Sequence, residues 1–279
     1  MKKHSCFIMG LPEAGKTTYL AALWYSLEQS SGTVLKLKQY TGNHQYLVRL
    51  AETWLLADKV SRTSILSEEK SLSLLLEDHE GREFQVAFPD LSGESFQKQY
   101  VDREIDKEIA TYISESDGIL LFINPEKIQE PCLISQIPLV LRHSTEEGEQ
   151  VKTHDPIQDD PTEVQLVALL QFVDYLRDSM KVRLGIVVSA WDVISEQDYR
   201  RPEKFVKERL PLLWQYISSN STLFDVFYYG ISAQGGRLDN EDDSLKLLQI
   251  DDQIQRIMVV DNNEKKFNDI TLPLWEVLD

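Results

Sequence analysis

The stretch "GLPEAGKTTYL", residues 10–20, decides how the chain is read. Its first eight residues match G-x-x-x-x-G-K-[ST]. That spacing suits a loop whose backbone N–H groups converge on phosphate oxygens. Glycines stand where a Cβ would block the approach, Lys16 bridges the terminal phosphates, and Thr17 offers its hydroxyl to Mg²⁺. Gly10, Glu13, Ala14, Gly15, Lys16, Thr17 and Thr18 are therefore the candidate phosphate-binding residues. The competing reading is a plain strand-to-helix turn. The flanks fit either: "SCFIMG" (5–10) is a short apolar run, and "KTTYLAALWYSLEQSSG" (16–32) puts Leu20, Leu23, Trp24 and Leu27 on one helical face.

Working outward, "TVLKLKQY" (33–40) reads as a brief strand and "HQYLVRLAETWLLAD" (44–58) as a helix carrying Leu47, Leu50, Trp54 and Leu55. "KSLSLLLEDHEGREFQVAFPD" (70–90) alternates on both sides of a "DHEG" turn, the pattern of an antiparallel hairpin ending at Asp90. Phe96, Tyr100, Ile105, Ile109 and Tyr112 predict a helix from Glu94 to Ile113, before a buried strand "GILLFIN" (118–124). Residues 125–160 carry four prolines and the acidic run "TEEGEQ", so they read as an insertion with an apolar anchor at "CLISQIPLVL". "DPTEVQLVALLQFVDYLRDSM" (160–180) opens with Asp160 as N-cap, Pro161 at the first helical position and Glu163 closing a capping box. Then follow strand "LGIVVSAWD" (184–192), a helix over 202–219 kinked at Pro211, strand "FDVFYYGISA" (224–233), a helix over 245–259, and a tail that packs Trp275 on the body. Strand and helix alternate nearly throughout, which predicts an α/β fold with a mainly parallel sheet.

Of 279 residues, 46 are acidic and 29 basic, and a formal charge of -17 sets the surface against phosphodiester backbones and anionic lipid heads. No nucleic-acid partner and no membrane association are expected. Two cysteines, Cys6 and Cys132, form no metal or redox spacing, and reduced thiols in a cytosolic protein are the expectation. "MKKHSCFIMG" reaches the glycine loop too soon for a signal sequence, which again places the chain in the cytoplasm. The five histidines are scattered and receive no metal or catalytic role.

Three further segments sit at strand ends. In "DLSGE" (90–94), Asp90 stands where P-loop enzymes hold Mg²⁺ through water, and Gly93 can present its N–H to a terminal phosphate. "SAWD" (189–192) leaves Asp192 at the carboxyl edge of the sheet, where open α/β sheets bind ligands. A carboxylate there accepts from guanine N1–H and the exocyclic amine, whereas adenine offers an acceptor at N1; as a bland alternative, Asp192 caps the next segment. "GISA" (230–233) ends the next strand, and its Ser232–Ala233 backbone can meet the guanine oxygen.

In this order, the four segments resemble the first, third, fourth and fifth nucleotide-binding motifs of TRAFAC-class GTPases, which include the Ras-like and translation-factor families. The resemblance covers roughly residues 3–234. "GLPEAGKTT", "DLSGE" and "SAWD" together are similar to the bacterial double-GTPase families associated with conflict and defence systems. The resemblance implies a Ras-like P-loop fold: a mainly parallel sheet, one strand made antiparallel by the hairpin, and helices on both faces. It implies a single domain over 1–279 with insertions at about 33–60 and 125–160 and an extension from about 261. It also implies a Mg²⁺-dependent switch that binds guanine nucleotide, hydrolyses GTP to GDP, and works with a protein partner, a second GTPase or an effector. Lys16, Thr63 and Glu94 would be catalytic; Thr17, Asp90 and Thr63 would hold Mg²⁺; Gly93 would sense the γ-phosphate.

The chain departs from that pattern in places. Ser189 and Ala190 replace the Asn and Lys of N-K-x-D, which weakens guanine selectivity; Trp191 could offer stacking surface instead. Glu94 stands where small GTPases carry a water-orienting Gln, so slow intrinsic hydrolysis is expected. Thr63 in "SRTS" is the positional candidate for closing over Mg²⁺, and the neighbouring Arg62 is either an arginine finger or a solvated loop arginine. Two rivals stay open: an ATP-using P-loop kinase or ATPase, and a nucleotide-binding scaffold without turnover.

Overall fold

The computed structural model describes residues 4–29, 32–58, 72–89, 91, 93–131, 154–178, 180–194 and 196–279. The chain runs β1 (His4–Met9), α1 (Lys16–Gln29), β2 (Lys36–Thr41), α2 (His44–Leu55), β3 (Leu72–Glu77), β4 (Glu83–Phe88), α3 (Glu94–Asp102), α4 (Lys107–Glu115) and β5 (Gly118–Ile123). It continues through α5 (Thr162–Leu176), β6 (Val182–Ser189), α6 (Pro202–Arg209), α7 (Pro211–Ser219), β7 (Phe224–Ser232), α8 (Glu241–Leu248), β8 (Met258–Val260), β9 (Lys266–Phe267) and α9 (Leu272–Leu278). The strands form one sheet in the order β2-β3-β4-β1-β5-β6-β7-β8-β9. Its centre, β4 to β7, is parallel throughout. The predicted hairpin turns β3 antiparallel to β4, and β2 joins antiparallel outside it.

Strand alternation divides the interior into two cores. Cys6 and Ile8 of β1 and Leu120 and Phe122 of β5 face one side, with α1, α2 and the Leu274–Leu278 end of α9. Phe7 and Met9, with Ile119, Leu121 and Ile123, face the other, against α3 to α7. Strands covered on both faces must be apolar at every position, which is why "CFIM" and "ILLFI" read as unbroken hydrophobic runs.

Several sequence expectations are corrected. The helix expected over 94–113 is two helices, because Arg103 takes a left-handed conformation (φ 59°) that ends α3. The capping box before α5 does not form. Asp160 instead accepts a hydrogen bond from the Tyr100 hydroxyl at 2.5 Å, and Glu163 accepts from the N–H of Leu212 at 2.7 Å. Pro211 breaks rather than kinks its helix, since Leu210 sits at φ -136° between α6 and α7. Of the helix expected over 245–259, the start forms as the end of α8, a 3-10 turn follows at Gln253–Arg256, and Met258 onward is β8, which with β9 adds a short antiparallel pair outside β7. Trp275 packs against the first core as expected. The apolar anchor expected at "CLISQIPLVL" lies outside the described residues. Among the described residues, no helix is long and apolar enough to cross a membrane.

Cys6, on the central strand, is fully buried, and loss of hydration pushes its thiol up to about 12. Only the thiolate alkylates readily. In a Cys132→Ala background, Cys6 should therefore resist iodoacetamide at pH 8 until the chain is denatured, as read by intact mass; labelling of the native protein would contradict this.

Candidate functional site

All five parallel strands deliver their carboxyl ends to one edge. The glycine loop follows β1, Leu91 and Gly93 follow β4, Asn124 follows β5, Ala190–Asp192 follow β6, and Ala233–Gln234 follow β7. This is the edge where open α/β sheets take ligands. A cavity of about 590 Å³ opens there, with Ala14 to Thr18, Leu91, Asn124, Asp192 and Ala233 among its walls. That volume lies within the range of about 300–1,000 Å³ usual for small-molecule sites.

The glycine loop is as tight as its sequence demands. Glu13 (φ 63°) and Gly15 (φ 96°) turn left-handed, and the Ala14 N–H closes a turn on the Leu11 carbonyl at 3.2 Å. At Gly15 a Cβ would come within 2.8 Å of the Ser189 side chain, so the loop rests directly on the end of β6. Lys16 is 3% exposed, and its ammonium donates to the carbonyls of Gly10 (2.7 Å) and Leu11 (3.1 Å). Gly93 (φ 81°) lies against these same groups. A Cβ there would fall 2.6 Å from the Leu11 carbonyl carbon, 2.7 Å from the Gly10 oxygen and 2.7 Å from Lys16 Nζ. The turn that carries Leu91 and Gly93 is therefore brought onto the glycine loop, with Glu94 opening α3. Thr17 Oγ1 donates to the Leu91 carbonyl at 3.4 Å, joining α1 to that turn. Asp90 and Thr63, and with them Arg62, lie outside the described residues.

Asp192 borders the cavity on a single 3-10 turn (Trp191–Val193) entered through Ala190, itself left-handed (φ 46°). Trp191 does not supply the expected stacking surface. It is 4% exposed, and its ring covers Gly230 of β7, where a Cβ would come within 2.2 Å of it. It is a core residue that anchors the Asp192 turn. Ser232 ends β7 and Ala233 follows it; the Ser232 hydroxyl is turned inward and accepts from the Gly235 N–H at 3.0 Å.

Sequence reasoning missed a clasp after β5. Asn124 Nδ2 donates to the Glu13 carbonyl at 2.9 Å, Lys127 pairs with Glu13 at 2.5 Å, and Glu126 pairs with Arg237 at 2.5 Å. "NPEK" thus touches the phosphate loop on one side and the loop after β7 on the other. Both ion pairs are about half exposed, so each is worth only ~0–1 kcal/mol and weakens with salt. The polar residue ending "GILLFIN" was the available signal. Tyr46 of α2 also lines the cavity, and its sequence gave no such signal.

The model of the Double-GTPase 1 family matches residues 7–277. The chain belongs to that family. Double-GTPase 1 members are GTP-binding proteins, and the cavity at the strand edge is the candidate place for the nucleotide. No curated protein matches the chain. Similar solved structures include Sup35 complexed with GDP, 14% identical, with 85% of this chain and 38% of that one covered at a TM-score of 0.36. Another is the cytosolic domain of the T. maritima FeoB iron transporter in a GDP form, 13% identical, with 90% and 65% covered at a TM-score of 0.33. The chain thus spans less than two thirds of either, and likeness at this level fixes neither fold nor function.

If Asn124 holds the phosphate loop in shape, Asn124→Ala should speed release of a fluorescent GDP analogue roughly tenfold, the value of one well-placed hydrogen bond. Stopped-flow displacement reads this, and an unchanged rate would show that the loop does not depend on the tether.

Proposed function

We propose that this Double-GTPase 1 family member is a Mg²⁺-dependent guanine-nucleotide switch that hydrolyses GTP to GDP, slowly on its own, in a bacterial signalling or defence system. The observation that carries the reading is the single cavity shared by the phosphate loop, Thr17 and Asp192. In this reading the loop amides and Lys16 receive the phosphates at the N-terminus of α1, where unpaired N–H groups and the helix dipole favour anions. Lys16 reaches them by exchanging its bonds to the Gly10 and Leu11 carbonyls for phosphate oxygens. Thr17 and Asp90 would hold Mg²⁺, the Thr17 hydroxyl at the cavity wall being a hard oxygen donor suited to it. The ion, when bound, neutralises charge on the phosphates. Thr63 closes on the same site.

Glu94 accepts a hydrogen bond from the attacking water and takes its proton as the oxygen bonds to the γ-phosphorus. The bond to the β-phosphate oxygen then breaks, leaving GDP and phosphate. A carboxylate near the γ-phosphate repels it, which makes the step slow. Gly93 reports the γ-phosphate, a role supported by its close packing on the Gly10 carbonyl, Leu11 and the Lys16 ammonium. The partner that reads this change is a second GTPase or an effector protein, in keeping with the family.

Lys16→Ala should abolish binding of GTP by calorimetry; affinity like that of the wild type would sink the assignment. Phosphate release should fall at least tenfold in Glu94→Ala while GTP still binds. Equal, negligible release by both proteins would point instead to a scaffold without turnover.

A further inference from the structure

Buried bonds join the end of α2 to the loop after β7. The Trp54 indole N–H donates to the Ala233 carbonyl at 2.8 Å, and Gln234 Nε2 returns a bond to the Trp54 carbonyl at 3.2 Å. Arg256 donates through Nη1 to the carbonyls of Trp54 (3.1 Å) and Leu55 (3.2 Å), and its guanidinium carbon lies 5.3 Å from the indole centroid. Arg256 is also tied through Nε to the Leu247 carbonyl at 3.1 Å. A helix end leaves its last carbonyls unpaired, and a cation there both caps them and suits the dipole. The guanidinium thus fixes the turn of α2 that carries the indole. Trp54 is fully buried and Arg256 is 3% exposed, so these bonds hold without competition from water.

A peptide unit is planar and trans, so the carbonyl of Ala233 and the N–H of Gln234 point opposite ways. With that carbonyl held by the indole, the Gln234 N–H must face away from Trp54. Ala233 and Gln234 both border the cavity that holds Asp192. Guanine carries an acceptor oxygen at C6 where adenine carries an amine, so a loop edge that offers N–H donors favours guanine. Its selectivity depends on the tilt of that one peptide plane, because hydrogen bonds weaken steeply when misaligned.

Resting on the guanine reading of this site, we propose that Trp54, fixed by Arg256, is a positioning residue for base recognition: it sets the Ala233–Gln234 peptide so that the loop offers its N–H groups to the 6-oxo group of a guanine nucleotide. The helix inserted between α1 and β3 thereby takes part in choosing the base, at a site where Ser189 and Ala190 replace the residues that usually support it.

The test compares equilibrium binding of three diphosphates with Mg²⁺: GDP, IDP, which lacks the 2-amino group, and 2-aminopurine riboside 5′-diphosphate, which lacks the 6-oxo group and with it the proton on N1; Asp192 is intact in every protein, so the change in preference between proteins reads the 6-oxo contact. Trp54→Phe keeps an aromatic ring and removes the donor; Gln234→Ala removes the return bond. The wild type should prefer GDP to the 2-aminopurine nucleotide. Trp54→Phe should lose about tenfold of that preference, through equally weaker binding of GDP and IDP with the 2-aminopurine nucleotide unchanged, and Gln234→Ala should shift the same way by less. The GDP-to-IDP ratio, set by Asp192, should stay put in both.

Equal weakening of all three nucleotides would mean a merely structural role and overturn the proposal. Should Trp54→Phe fail to fold in a thermal melt, Gln234→Ala decides. A wild type that discriminates, with preferences unchanged in the folded variants, overturns this proposal alone. A wild type with no preference for the 6-oxo group overturns the guanine reading along with it.

Discussion

Backbone packed directly on backbone at Gly93 is the contact on which the rest of the site depends. Two turns that follow neighbouring strands, β1 and β4, come so close that a single Cβ would meet the Gly10 carbonyl, Leu11 and the Lys16 ammonium at once. Only glycine, with no side chain and free access to φ 81°, can stand there. Such contact needs the two strands side by side and parallel, so that their carboxyl ends emerge together. The parallel order in turn needs helices over both faces and apolar residues along every central strand. The cation at the centre belongs to the same arrangement: Lys16 is nearly inaccessible to water, and loop carbonyls replace its hydration.

Farther along the sheet edge, the loops are supported by several elements. Ser189, where an Asn would stand, fills the space against Gly15 and donates to the Ile123 carbonyl at 3.3 Å. Asn124, one strand over, bonds to the glycine loop. Trp191 holds the Asp192 turn from beneath by covering Gly230. The loop after β7 is braced by Trp54 and Arg256, from elements far apart in the chain. These supports come from elements that no linear pattern groups together.

What was legible in the sequence follows from range. β1, the glycine loop and α1 could be read because each rests on local periodicity and spacing, and the β3–β4 hairpin because its turn and alternation are local too. The break at Arg103 carried no glycine or proline to mark it. Asp160 and Glu163 had the pattern of a capping box, yet distant partners, the Tyr100 hydroxyl and the Leu212 N–H, took their oxygens. The helix expected over 245–259 overran into β8, because only pairing with β7 makes Met258–Val260 a strand. Trp54 illustrates the limit most plainly. Its place on an apolar helical face predicts burial, but its bond to Ala233 spans 179 positions.

On the proposed reading, the cavity beside Asp192 selects a guanine diphosphate through base-edge hydrogen bonds. Calorimetric titration of the full chain with GDP and with ADP, each with Mg²⁺, tests it most directly. The account predicts GDP binding at least tenfold tighter, the value of one or two base-edge hydrogen bonds. Equal affinity, or a preference for ADP, would contradict it and favour an ATP-using P-loop enzyme.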